Sequence, residues 1–123
     1  YTNLGGTWTE GSSSDFTLAT GTGIVTYTGA EAQRVYGMYS VSAKLDTAAV
    51  DVEFRVEEDG TTDVSTAQIQ TFDAINKIQN VAVPFDVTLN QNATLNLAAL
   101  ASTGTPTLTA DRCHLRMLSV SLQ

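Results

Sequence analysis

The chain has 123 residues, enough for one domain that buries roughly two thirds of its unfolded surface. A formal charge of −7 repels phosphate and argues against a nucleic-acid partner, and a single cysteine, Cys113, excludes an intrachain disulfide. Apolar residues make up 42% of the chain, yet no apolar run approaches the roughly 20 residues of a membrane-spanning helix, so membrane insertion is not expected.

Thr and Ser are abundant, and helix formers do not dominate, which favours strands and tight turns. Residues 1–15 are polar and Gly/Ser-rich and read as an edge strand or linker, in which Leu4 and Trp8 pin the strand. Residues 16–123 read as one domain. Short strands are predicted over Phe16-Thr17-Leu18-Ala19 and Ile24-Val25-Thr26-Tyr27-Thr28, each closed by glycine.

The longest alternation follows. Val35, Gly37, Tyr39, Val41, Ala43 and Leu45 occupy alternate positions, and after Asp46-Thr47-Ala48-Ala49 so do Val50, Val52, Phe54 and Val56. Successive side chains of a strand point to opposite faces, so each strand builds one apolar face. The spacing predicts an antiparallel pair at the centre of the core. Asp59-Gly60 ends the second strand in a hairpin turn.

The returning strand, about residues 63–72, carries Val64, Ala67, Ile69 and Thr71 in imperfect alternation. Val81, Val83, Phe85, Val87 and Leu89 mark the next. Pro84 lies inside it and has no N–H for a ladder, which places it at an edge or bulge. Leu95, Leu97 and Ala99 follow, then a ribbon at Thr107-Leu108-Thr109. In the last strand Cys113, Leu115 and Met117 alternate, then Leu118, Val120 and Leu122, a phase shift that predicts a β-bulge between them. The pattern is all-β: an antiparallel sandwich or barrel of eight or nine short strands.

Chemistry-bearing residues are sparse. His114 is the only histidine. Its strand neighbour Cys113 points to the opposite face, so the two form no nucleophile–base pair and grip no common metal. No catalytic constellation is visible, and the expectation is a non-enzyme without metal or other cofactor. Glu57, Glu58, Asp59 and Asp63 flank the hairpin tip. Oxygen ligands at a turn suit calcium, but the spacing is not that of an EF-hand loop, and a solvated acidic turn is the reading. Arg55 is expected to pair across strands. Asn92-Ala93-Thr94 is a glycosylation sequon by sequence and is read as chance.

Tyr36 and Met38 lie out of phase with the core, on the reverse face of the first long strand. Aromatic residues and methionine are enriched at protein interfaces, so this face is expected to bury itself against another molecule.

The succession Gly37-x-Tyr39-x-Val41-x-Ala43, Val52-x-Phe54-x-Val56, Asp59-Gly60, Val87-x-Leu89, Leu95-x-Leu97 and Leu118-x-Val120-x-Leu122 resembles trimeric jelly rolls of the tumour-necrosis-factor and complement-head type. It resembles most the version found in bacteriophage and other viral surface proteins, where a lead such as Ile24-Val25-Thr26-Tyr27-Thr28-Gly29 precedes the first long strand. The likeness covers about residues 16–122. Asp59-Gly60 stands where Asn-Gly is usual, and Gln91-Asn92-Ala93 replaces the usual Gly-Asp. The resemblance implies an antiparallel jelly-roll β-sandwich of about eight strands. It also implies a homotrimer on the virion surface, as a capsid decoration, fibre or tail-adhesin subunit in contact with other virion proteins. In that fold the sheet bearing Tyr36 lies at the threefold axis, so Tyr36, Met38, His114 and Arg116 are expected at the oligomer interface. The alternative is a receptor-binding head for a host surface glycan or protein, with loops 76–80, 90–92 and 102–106 as the contact surface.

Overall fold

The computed structural model of the chain describes residues 1–4 and 15–121, with Asp111 and residues 117–121 described through their backbone alone. Among the described residues ten strands and no helix form two antiparallel sheets, packed as a single-domain β-sandwich. The strands are β1 (Thr2–Asn3), β2 (Phe16–Ala19), β3 (Ile24–Tyr27), β4 (Gln33–Leu45), β5 (Val50–Glu58), β6 (Thr62–Asp63), β7 (Gln68–Phe72), β8 (Gln79–Leu89), β9 (Thr94–Ala101) and β10 (Leu108–Ser121). One sheet runs β2-β3-β9-β5-β6, with β1 also on β9 and β7 also on β5; the other runs β10-β4-β8.

The two long strands β4 and β5 are not a hydrogen-bonded pair, contrary to the expectation from their alternation. They belong to different sheets and face one another across the core. Alternation gives each strand an apolar face but does not say whether two such faces lie side by side or opposed. The connection decides it. Its polar groups bond to other strands: the Ala49 N–H donates to the Phe72 carbonyl (2.8 Å), and Asp46 Oδ1 accepts from the Thr107 N–H (2.9 Å). Ala49 takes a left-handed conformation (φ 60°).

Val35, Tyr39, Val41, Ala43 and Leu45 fill the core from one side, and Val52, Phe54, Val56, Leu95 and Leu97 from the other, all fully buried. Each such large apolar side chain contributes roughly 1.5–3 kcal/mol of transfer free energy. The Tyr39 hydroxyl crosses the gap to the carbonyls of Gly23 (3.0 Å) and Leu95 (3.1 Å), which lie on the seven-stranded side.

The pairings nest. The turn at Asp59 and Gly60, both with positive φ, joins β5 to β6, and β5 also pairs β7. Outside that, β4 pairs β8, and β3 pairs β9. β10 then adds to the free side of β4. Pro84 sits in β8, the edge of its sheet, where its missing N–H costs no ladder bond.

Two details of the strand pattern differ from expectation. In the return after the turn, Ile69 is 68% exposed and Phe72 only 1%, so the phase is opposite to the one predicted. The strand is interrupted between β6 and β7, where Ser65 accepts the Val56 N–H through its Oγ (2.9 Å), but the same face stays inward: Val64 packs on the core before the break and Phe72 after it. In β10 the register shift lies between Ala110 and Arg112, not between Met117 and Leu118. Leu108 and Ala110 pair with Leu45 and Ala43, whereas Cys113 pairs with Val41, so the extra residue falls at Asp111. Trp8 and Leu122 lie outside the described residues. Leu4 is buried in the core, and Thr2 pairs with Ala99.

Candidate functional site

The outer face of the β10-β4-β8 sheet assembles all four residues expected at an interface. Strand alternation turns Tyr36, Met38, Ser40 and Ser42 away from the core, and the registers of the flanking strands set their neighbours. Met38 lies opposite Pro84 on one side and Arg116 on the other; Ser40 lies opposite Ala82 and His114. Met38 is 38% exposed, and His114 and Arg116 are exposed beside it. Cys113, one residue before His114, is buried in the core against Val41, as the opposite-face argument requires.

Tyr36 is covered on one side. The Arg34 guanidinium sits 4.8 Å from its ring centroid and donates two hydrogen bonds to the Asp86 carboxylate, at 3.1 and 2.8 Å. This two-point contact holds the Asp86 carboxyl below its usual range and raises Arg34. Arg34, Ala82, Asp86 and Arg112 also lie on the face and were not singled out from sequence; Pro84, expected only as an edge residue, joins them. Their signal was available: even-numbered residues of β8 and β4 share this face once the two strands are known to pair.

The face carries an unusual share of positive charge. Arg34, Lys44, Arg112 and Arg116 all lie on it, four of the six lysines and arginines in the chain. Among the described residues Lys44, Arg112, His114 and Arg116 make no ion pair, and Asp86 is the only acid among the side chains of the face.

The opposite face of the sandwich is acidic. Asp51, Glu53 and Glu57 alternate along β5, with exposed Ile69 and Leu100 directly beside Glu53 in the register. Arg55 pairs along its own strand with Glu57 (2.6 Å) rather than across strands, since Ala98 is its neighbour on β9. The Tyr1 ring stacks on the Arg55 guanidinium at 3.5 Å, and its phenol is pushed up to about 12 by burial and by the Glu53 carboxylate.

The acidic turn is exposed at Asp59 and Asp63, as expected, but not at Glu57. Glu57 is only 4% exposed. Asp59 Oδ1 accepts from the Thr94 N–H (3.0 Å), and Asp63 Oδ1 from the Ser65 N–H and Oγ (both 3.0 Å). Burial, then the neighbouring Asp59 charge, raises the Glu58 carboxyl. Three of the four carboxylates thus have protein partners. Among the described residues no three His, Cys, Asp or Glu side chains are placed to hold a metal.

The three loops named for receptor contact do not form one surface. Asn76 and Asp46 tie loops 73–78 and 102–107 to the same end of the sandwich, through the bonds from Asn76 N–H to Leu45 (2.9 Å) and from Asp46 N–H to Thr107 (3.2 Å). Loop 90–93 lies at the other end, where the Asn92 N–H donates to Tyr27 (2.7 Å).

Compared with known protein families, with characterised protein sequences and with solved structures, the chain matches none.

Proposed function

We propose that the chain is a non-enzymatic structural subunit of a virion surface: a jelly-roll protein that forms a homotrimer as a capsid decoration or fibre component of a bacteriophage-like particle. The observation that carries self-association is the outer face of the three-stranded sheet, where Tyr36, Met38, His114 and Arg116 lie together with Ala82 and Pro84. The nested pairs β3–β9, β4–β8 and β5–β7 support a jelly roll, in which one long hairpin is wound into two sheets. The viral setting is taken from the resemblance of the strand rhythm to phage surface jelly rolls. Sedimentation equilibrium at micromolar concentration tests the trimer: a mass of three chains is expected, and a monomer at every concentration sinks the proposal. Antibody labelling of purified particles tests the location, and particles without label overturn it.

A second reading, a host-receptor head, is favoured by Ile75 and Ile78, both exposed on the 73–78 connection. Replacing that loop together with 102–107 abolishes cell binding if this reading holds, and leaves particle assembly intact.

A further inference from the structure

The two faces of the sandwich are complementary to each other. The outer face of β10-β4-β8 presents Arg112, His114 and Arg116 around Met38. The outer face of the larger sheet presents Asp51 and Glu53 beside exposed Ile69 and Leu100. Each is a charged patch with an apolar centre, and the signs are opposite. The same charges forbid the simplest dimer. A two-fold contact through the β10-β4-β8 face sets its arginines against their own copies, and like charges in contact are costly.

Building on the self-association reading above, we infer that the contact between copies is head to tail: the Met38–Arg116 face of one copy docks on the Glu53–Ile69–Leu100 face of the next. Every copy carries both halves, so no pair is saturated. Such a contact closes into a ring where its rotation permits and extends as an open stack where it does not. Because charge pairs surround the contact, association weakens as salt is raised.

The test uses two charge-reversed proteins: Arg112→Glu with Arg116→Glu, and Asp51→Lys with Glu53→Lys. Each alone is expected to raise the concentration of half-association about tenfold or more. Mixed in equal amounts they are expected to recover association in part: the reversed face of one matches the reversed face of the other, so unlike copies pair, but a ring of three keeps one mismatched contact. Recovery on mixing requires both variants to be folded, so it separates lost docking from lost structure. Circular dichroism checks each alone. A wild-type oligomer that neither variant weakens overturns the face pairing while leaving self-association standing. So does a wild-type mass that stops at two chains. A wild-type monomer overturns both. A plateau at three supports both, and a mass that keeps rising with concentration supports the face pairing and overturns the trimer.

Discussion

Phe85 lies directly across from Gly37 in the β4–β8 register, and its ring fills the space that a side chain at position 37 would need. A Cβ built on Gly37 comes within 2.5 Å of the Phe85 ring and also meets the Arg116 backbone carbonyl. The ring can turn aside; the β10 backbone moves only at the cost of its ladder. Gly37→Ala is therefore expected to destabilise the fold by about 1–3 kcal/mol in denaturant unfolding. Phe85→Leu in the same chain is expected to return only part of that loss, because the clash with β10 stays.

Tyr39 links the two sheets through its hydroxyl. Tyr39→Phe keeps the ring and its packing, 5.9 Å from that of Phe85, but leaves buried carbonyls short of a donor. The expected loss is about 1–2 kcal/mol. Burial also raises the Tyr39 phenol above its usual value. A group that holds its proton more tightly when folded adds stability below its unfolded pKa, near 10, and that stability falls as pH rises beyond it. The wild type should lose stability above pH about 10 more steeply than Tyr39→Phe does, which unfolding curves across alkaline pH measure.

Asp86 behaves in the opposite sense. Its carboxyl is held low by Arg34, so the pair contributes above the usual carboxylate range and its contribution fades as pH falls through the lowered value. Both side chains are half exposed, so the effect on stability is small. The carboxyl itself is the better probe: Arg34→Ala is expected to return Asp86 to the ordinary range in an NMR titration. No movement on that substitution would assign the low value to another cause.

Ala49 holds φ at 60°, where its Cβ is strained. It is exposed, so Ala49→Gly is expected to stabilise by up to about 1 kcal/mol by thermal unfolding. A lower melting temperature would mean that unfolded-chain entropy outweighs the strain.

Much of the sandwich could be read from the residues because period-two alternation is a local property. Tyr39, Phe54, Leu95 and Cys113 are inward as predicted, and Tyr36, Met38, His114 and Arg116 share the outer face. Pairing is not local and leaves no such mark on the sequence. Nothing in Asp46-Thr47-Ala48-Ala49 itself tells a hairpin from a crossing between sheets; that depends on Phe72 and Thr107, both distant in sequence. Ile69 alternates with Ala67 and Thr71, but Val64 and Phe72 carry the inward face, and only their pairing with β5 shows which set is buried. The bulge at Asp111 did leave a trace, since Leu108 and Ala110 fall out of step with Cys113 and Leu115. The acidic face emerges only after β5 is paired with β7 and β9, and the basic face only after β4 is paired with β8 and β10.

That last pairing sets an order of events. Synthesis proceeds from β1 to β10, and the nested pairs through β3–β9 can close before β10 emerges. Arg112, His114 and Arg116 arrive only with β10. A nascent chain therefore lacks the arginines of the proposed docking face until β10 emerges, and partly made copies on neighbouring ribosomes are expected to have little with which to hold one another.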